Sequence, residues 1–102
     1  MKLKYTPEAI RDLQETKTYI SKVLHNPKAA ERITRSILNL CGRLKDHPNL
    51  GMSLNAKLDY ETDLRYLICE NHIAIYRIAD DWIMVVRILD GRTDYLRILF
   101  HP

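Results

Sequence analysis

The sequence of 102 residues has only two cysteines and no long apolar run. Cys41 and Cys69 are far apart and match no metal-ligand or redox spacing, so we interpret them as reduced core residues of a cytosolic protein. No apolar stretch approaches the roughly 18 residues that a membrane-spanning helix needs, and the N-terminus has no signal-peptide core. We therefore expect a cytoplasmic protein without membrane contact, metal, cofactor or disulfide.

The chain also lacks internal repeats, linkers and low-complexity segments. Its length predicts one domain, residues 1–102, that removes roughly 65% of the unfolded surface from water when it folds. The net charge of +3 is unevenly distributed, because residues 1–50 carry ten Lys or Arg and five acids. Residues 51–102 carry six Lys or Arg and eight acids. This balance is compatible with a nucleic-acid or ribosomal partner, or with an acidic peptide.

Helical patterns occupy the first half of the chain. "KLKYT" predicts a strand over residues 2–6, and Thr6-Pro7-Glu8 then gives a capping hydroxyl, a proline at the first helical position and an early acid. Apolar residues recur at helical spacing and are interrupted at Asn26-Pro27, which repeats the start signal. The sequence therefore predicts helices over 7–24 and 27–46 that form an antiparallel hairpin.

From residue 63 the periodicity becomes that of β-strands. "LRYLIC", "IAIYRIA" and "WIMVVRIL" are separated by polar pairs of hairpin length. They predict strands over 63–69, 72–79 and 82–89, preceded by a loop over 47–62. The expected fold is α+β, with one antiparallel sheet and the N-terminal helical hairpin packed on one face, in the order β-α-α-β-β-β.

The alternation of side chains in the last strand sorts the two faces of this sheet. Trp82, Met84, Val86 and Ile88 form the more apolar set and are predicted to face the helices, which leaves Arg87 on the open face. A plausible register puts Arg65 and Arg77 beside Arg87, and Arg92 just beyond its edge. The alternative is that these arginines pair with Glu61, Asp63, Glu70 or Asp94 on a solvated face. The predicted core comprises Ile10, Leu13, Ile20, Ile33, Ile37, Leu40, Leu44, Trp82, Met84 and Val86.

The final stretch, "LDGRTDYLRILF", predicts a docked segment that holds Arg92 in place. Asp90-Gly91 has turn chemistry, and Asp94 can cap a short helical turn. Leu96, Leu99 and Phe100 have the spacing that anchors such a turn to the sheet. The alternative is a simple surface pair of Arg92 with Asp90 or Asp94.

The order of these elements resembles the RelE/ParE superfamily of toxins from type II toxin-antitoxin systems, which includes plasmid stabilisation proteins. The resemblance covers nearly the whole chain, residues 1–102. Its most specific part is the C-terminal third, with Leu64-Arg65, Tyr76-Arg77, Arg87-Ile88-Leu89 and Gly91-Arg92-Thr93-Asp94 in the expected order.

The superfamily has two branches with different targets. RelE-like members are mRNA interferases that cleave messenger RNA on the translating ribosome with a cluster of Lys, Arg and Tyr, whereas ParE-like members lack the cluster and inhibit DNA gyrase. Arg92 matches the arginine of the cleaving branch. The expected lysine pair is absent, since Leu64 and Tyr66 stand near those positions, and Ile73 replaces an arginine. A tyrosine expected beyond Arg92 aligns nearer Ile98. The resemblance therefore favours a ParE-like gyrase inhibitor over a RelE-like endoribonuclease.

A nuclease would need a proton-transfer group besides Arg92, because arginine stays protonated at working pH. The candidates are His72, Tyr95 and His101. For binding of a target or an antitoxin, the candidates are the arginines of the second half: Arg65, Arg77, Arg87, Arg92 and Arg97. The resemblance implies a cognate antitoxin, a toxin-antitoxin hetero-oligomer, and either gyrase or the ribosome with its mRNA as target. An inactive toxin-like binding module is the remaining alternative.

Overall fold

A computed structural model of the chain describes residues 1–58 and 61–100. Strand β1, Lys2–Tyr5, is followed by helix α1, Pro7–Thr18, which continues as a π-helical turn over Tyr19–Val23. Helix α2, Pro27–Gly42, ends in a 3₁₀ turn over Arg43–Lys45. Both helices begin as predicted, because the Thr6 hydroxyl accepts from the Ala9 amide and the Asn26 side chain accepts from the Ala29 amide, each at 3.1 Å. The helical hairpin is confirmed.

The remaining elements form the sheet and its final helix. They are β2 (Met52–Ser53), a 3₁₀ turn (Leu54–Lys57), β3 (Arg65–Cys69), β4 (His72–Ala79), β5 (Trp82–Asp90) and α3 (Tyr95–Phe100). Within residues 1–58 and 61–100, the sheet has five strands in the order β1-β5-β4-β3-β2. All neighbours are antiparallel except β1 and β5, which are parallel. The expected elements and layers are therefore correct, but the sheet is mixed rather than antiparallel. The sequence did not predict the parallel pair, because the residue pattern of β1 carries no information about the direction of the neighbouring strand.

The segment over 47–62, predicted as a loop, contributes β2 to the sheet edge. Gly51 allows this approach, because a Cβ there would lie 2.5 Å from the carbonyl oxygen of Tyr66. Its amide donates to the Tyr76 hydroxyl at 3.0 Å, and that hydroxyl donates to the Pro48 carbonyl at 2.8 Å. Leu54, in the turn that follows, is fully buried. A buried tyrosine hydroxyl thus organises a segment whose sequence resembles a loop.

Two apolar clusters lie on opposite faces of the sheet. The helix-side cluster includes Ala9, Ile37, Cys41 and Leu44 together with residues of β3, β4 and β5. The outer cluster includes Leu54 and is covered in part by α3. Its members from the sheet and from α3 are Leu64, Tyr66, Ile73, Ile75, Leu89, Val86, Tyr95, Leu96, Leu99 and Phe100. The prediction that Leu96, Leu99 and Phe100 anchor the last segment is confirmed.

Most helical members of the predicted core are confirmed, but one is wrong. Ile20, Ile37 and Leu44 are buried. Leu13, Ile33 and Leu40 are half-buried and pack against the helix-side cluster. Ile10 is 46% exposed, so the helical stripe facing the sheet is narrower than the sequence suggests.

The face assignment of β5 is wrong over most of the strand. Ile83 and Val85 are fully buried in the helix-side cluster. Trp82 and Met84 point to the other face of the sheet, and Trp82 is 38% exposed. Val86 packs on the outer cluster. The register explains the error, because Ile75 pairs with Arg87 while Tyr76 pairs with Val85, which leaves Val86 as an extra residue in a β-bulge. The bulge reverses the alternation, so Ile88 does face the helices as predicted.

Candidate functional site

A cleft of about 590 Å³ lies between the helical hairpin and one end of the sheet. Its volume is within the range of roughly 300 to 1,000 Å³ typical of ligand sites. The apolar wall comes from the hairpin and includes Tyr19, Ile20, Leu24 and Ile33. The polar side chains come from both elements and include Glu15, Arg32, Glu70, His72, Asp90 and Arg92. Two residues singled out in the sequence, His72 and Arg92, therefore share one cleft.

The π-helical turn after α1 shapes the hairpin side of this cleft. The Leu24 amide donates to the Tyr19 carbonyl at 3.1 Å, and the Asn26 amide donates to the Ile20 carbonyl at 3.1 Å. This wider turn leaves Tyr19, Val23 and Leu24 each more than half exposed. Such turns are frequent at functional sites. Apolar spacing alone does not distinguish a π turn from an α turn, so the sequence did not predict this wall.

His72 is the most enclosed titratable side chain of the cleft. It begins β4, opposite Asp90 of β5, and is 8% exposed. Its Nδ1 atom has no hydrogen-bond partner among residues 1–58 and 61–100. Burial lowers the pKa of His72, and this effect outweighs the opposing influence of Asp90. The ring is therefore neutral at neutral pH, because its pKa lies below the ordinary value of about 6.5.

Arg92 is held at the mouth of the cleft by its neighbour Asp90. The guanidinium donates to both carboxylate oxygens, from Nε at 3.0 Å and from Nη2 at 2.9 Å, while the Arg92 backbone amide donates to Oδ1 at 2.9 Å. The hydrogen bond from Arg92 lowers the pKa of Asp90. Arg92 remains two-thirds exposed. The side chain is thus both positioned, as predicted, and paired with Asp90, as in the alternative interpretation.

Arg32 and Glu70 add a second ion pair to the cleft. Arg32 in α2 donates to Glu70 in the β3–β4 turn at 2.7 Å, and both side chains are largely exposed. Glu70 has a φ of 56°, which the tight two-residue turn requires. Arg32 was not predicted from the sequence, because only tertiary packing brings the start of α2 to this turn.

The predicted open face with three arginines does not exist. Arg77 lies on the face away from the helices and donates to Asp63 at 3.3 Å. Arg65 is on the helix side, where its Nε donates to the Tyr76 hydroxyl at 3.3 Å and its Nη2 to the Gly51 carbonyl. Arg87 reaches Asp12 of α1. The face was wrong for Arg65 because the register assumed for β3 was incorrect. Arg87 pairs with Ile75 of the outer cluster, but its side chain extends to Asp12.

Two further candidates, Tyr95 and Arg97, lie apart from the cleft. Tyr95 and Arg97 belong to α3, where Tyr95 packs on the outer cluster and Arg97 is exposed. His101 lies outside the residues that the structure describes. Of the four groups considered for RNA cleavage, the cleft therefore brings together only His72 and Arg92 among the described residues.

Within the described ranges, no group of three or more His, Cys, Asp or Glu side chains is arranged to hold a metal ion. None of the helices in that part of the chain is both long and apolar enough to cross a membrane. Burial raises the pKa of Cys41 to about 11 and also raises that of Cys69, so neither thiol is activated as a nucleophile.

Comparison with known proteins identifies the family. Residues 3–95 match the model for the ParE toxin of the type II toxin-antitoxin system parDE. Because this match spans most of the chain, the protein belongs to the ParE toxin family. No significant match was found among curated proteins.

Two solved structures are similar to the chain. The first is described as the chromosomal ParDE TA system from P. aeruginosa, with a TM-score of 0.74, 25% sequence identity, and coverage of 88% of this chain and 95% of that chain. The second is the toxin-antitoxin complex RelBE2 from Mycobacterium tuberculosis, with a TM-score of 0.48, 18% identity, and coverage of 87% and 88%. The first comparison agrees with the family match and with the observed fold.

Proposed function

We propose that this ParE-family toxin arrests bacterial growth by inhibiting DNA gyrase, and that a cognate antitoxin neutralises it. The observation that carries the proposal is the dispersion of the groups that RNA cleavage would require. His72 and Arg92 lie in the cleft, whereas Tyr95 packs on the opposite side of the sheet. The ParE family match supports the same choice of target.

The chemistry of the cleft residues argues against phosphodiester cleavage there. Attack by a 2'-hydroxyl needs a group that removes its proton and another that protonates the leaving oxygen. Arg92 cannot be deprotonated in a protein, so it can neither remove a proton from the 2'-hydroxyl nor protonate the leaving oxygen. His72 is neutral and could accept a proton, but it is 8% exposed, so an RNA backbone has little access to it.

The cleft instead has the composition of a protein-binding surface. Tyr19 and Leu24 are exposed and line the cleft together with Arg32 and Arg92. Aromatic and arginine side chains are enriched at the centres of protein interfaces. Arg92 is held in a fixed position, so it loses less conformational freedom when it binds a carboxylate. We propose that Arg92 contacts either the target or the antitoxin in this way.

Two assays on the purified toxin test the choice of target. Purified toxin should block supercoiling of relaxed plasmid by gyrase, and it should leave mRNA on translating ribosomes uncut in primer-extension analysis. Cleavage of mRNA at defined codons with normal supercoiling would instead support the RelE-like alternative.

Expression without the antitoxin distinguishes a toxin from an inactive module. Induction of the chain alone should stop growth, and co-expression of the product of the neighbouring antitoxin gene should restore it. Normal growth with soluble, folded protein would support the inactive binding module and contradict the proposal.

A further inference from the structure

Positive charge is concentrated in the helical hairpin. Residues 16–45 carry seven Lys or Arg and one acid, so their net charge of +6 is twice the +3 of the whole chain. The rest of the chain is therefore net acidic. All seven basic side chains of this segment are exposed, namely Lys17, Lys22, Lys28, Arg32, Arg35, Arg43 and Lys45. The modest overall charge thus includes a strongly basic helical layer.

Four of these cations form a basic stripe along α2. The stripe consists of positions three or four residues apart, which are Lys28, Arg32, Arg35, Asn39 and Arg43. This spacing puts their side chains on one side of a helix. The backbone stays helical through Gly42 and Arg43, so the stripe continues into the 3₁₀ turn. Ile37 and Cys41, on the opposite side, are buried in the core. At 1.5 Å per residue, the basic stripe is about 22 Å long.

The stability of α2 does not account for the two end positions of the basic stripe. Lys28 lies in the first turn, where the positive end of the helix dipole disfavours a cation, and this turn contains no acid. Neither Lys28 nor Arg43 has an ion-pair partner among residues 1–58 and 61–100. Both charges are therefore available to an external anion.

The two middle arginines of the basic stripe are paired, but only at the surface. Arg32 pairs with Glu70 and Arg35 with Glu31, and all four side chains are exposed to solvent. Exposed ion pairs are weak and are screened by salt, so a phosphate can replace the carboxylate. Each arginine also keeps further N–H donors for a second anion.

The composition of the basic stripe favours duplex DNA as its ligand. None of its five positions is apolar, and Leu38 beside it is the one large apolar side chain of α2 that is exposed in this fully described helix. Protein interfaces have an apolar centre, and helices that lie on membranes have an exposed apolar face. The basic stripe also has no aromatic side chain on which the bases of a single strand could stack.

The geometry of the basic stripe matches a row of phosphates. Each DNA strand carries one negative charge per roughly 3.4 Å of helix axis, so a length of about 22 Å faces about six phosphates. The major groove of B-DNA is wide enough for an α-helix to approach, whereas that of A-form RNA is narrow and deep.

We propose that the basic stripe of α2 binds the phosphate backbone of duplex DNA without reading its sequence. Lys28 and Arg43 contact phosphates directly, and Arg32 and Arg35 exchange their carboxylate partners for phosphates. This activity does not depend on whether the target of the toxin is gyrase or mRNA, because it follows from the charge and geometry of α2.

Fluorescence anisotropy of a labelled 20-base-pair DNA duplex, titrated with the purified full-length chain, tests the proposal. Four phosphate contacts predict a slope of about −3.6 when log Kobs is plotted against log salt concentration between about 50 and 200 mM. A second duplex of unrelated sequence should have the same Kd to within about twofold, because phosphate contacts carry no sequence information.

A double variant and its matched control locate the binding surface. Lys28→Gln with Arg43→Gln removes the two unpaired cations of the basic stripe, so the slope should fall to about −1.8 and Kd at about 50 mM salt should rise about tenfold or more. Lys4→Gln with Lys57→Gln removes the same charge from the sheet face away from the helices. This control should keep the slope of the wild type.

Circular dichroism verifies that both double variants are folded. The proposal is wrong if about 100 µM wild-type protein does not bind the duplex at about 50 mM salt, or if the two double variants lose affinity equally. It is also wrong if polyglutamate displaces the labelled duplex as well as unlabelled duplex does at equal charge, which would assign the basic stripe to an acidic protein. Tighter binding of an RNA duplex would contradict the choice of DNA.

Discussion

The carboxylate of Asp12 is predicted to be the most important single polar group for stability. It accepts from Arg87 Nε at 2.8 Å, from Arg87 Nη2 at 3.0 Å and from the Ile88 amide at 2.9 Å. The Ile88 amide has no partner in β1, because β1 ends at Tyr5. The Asp12 side chain of α1 accepts its hydrogen bond instead. The Thr6 hydroxyl likewise donates to the Val86 carbonyl at 2.8 Å. The hydrogen bond that Arg87 donates to Asp12 also raises the pKa of Arg87.

The cost of removing this carboxylate follows from its burial. The Asp12 and Arg87 side chains are 10% and 25% exposed. Asp12→Ala leaves the Ile88 amide unpaired, which costs about 1 to 3 kcal/mol. It also leaves the Arg87 charge without its partner. This costs less than the roughly 3 to 5 kcal/mol of a broken, fully buried pair, since water can reach part of the guanidinium. We expect a loss of about 3 kcal/mol in the free energy of unfolding, or roughly 12 to 24 °C in Tm.

Urea and thermal unfolding of the purified variants measure this effect. Asp12→Asn keeps an acceptor for the Ile88 amide and should lose only about 1 to 2 kcal/mol. Glu31→Ala is the matched control, because its pair with Arg35 is about two-thirds exposed on both sides and contributes at most about 0.5 kcal/mol. An Asp12→Ala protein whose free energy of unfolding lies within about 1 kcal/mol of the wild type would contradict this prediction.

Three further predictions concern the 47–62 segment, the cleft and its histidine. Gly51→Ala should destabilise the fold by about 1 to 3 kcal/mol in urea unfolding, because its Cβ would lie 2.5 Å from a carbonyl oxygen of β3. Gly42→Ala should not destabilise the fold, because no atom lies within 4 Å of the added Cβ. Equal losses of stability in the two variants would contradict the close approach of Gly51 to β3. Arg92→Ala should leave Tm nearly unchanged but weaken growth inhibition or antitoxin binding. The control is Arg97→Ala at an exposed position, which should change neither. Full toxicity and unchanged antitoxin binding of Arg92→Ala at equal soluble expression would exclude Arg92 as a binding residue. Because burial lowers the pKa of His72, the unfolded chain takes up this proton first, so stability should fall as pH drops below about 6.5. His72→Gln should reduce this dependence in urea unfolding between pH 7.5 and 5.5, and an unchanged slope would assign it to other groups.

The elements of this fold were predictable because their signals are local. Thr6-Pro7 and Asn26-Pro27 start the two helices through hydrogen bonds that span three residues. The two-residue breaks in the second half produced the β3-β4-β5 meander, since tight turns depend on the residues within them. Even the docking of α3 followed from apolar spacing within one short segment.

The candidate site was only partly predictable. The sequence identified His72 and Arg92, but it did not show that they share a cleft with Arg32 and Tyr19. Those neighbours come from the helical hairpin, and their approach depends on how the hairpin packs on the sheet. The π-helical turn at Tyr19 and the Arg32 pair with Glu70 have no pattern in the chain that distinguishes them from ordinary helix residues.

Capping, turn chemistry and periodicity act over a few residues, so the helices and strands could be assigned from the sequence. The direction in which each strand faces and the pairing of its charges depend on the three-dimensional packing of the domain. One extra residue at the bulge near Val86 reversed the alternation along β5, and packing of α1 at the end of β1 brought Asp12 to Arg87, 75 positions later in the chain. Such contacts depend on the register between strands and on packing across the whole domain, and local residue patterns do not encode either.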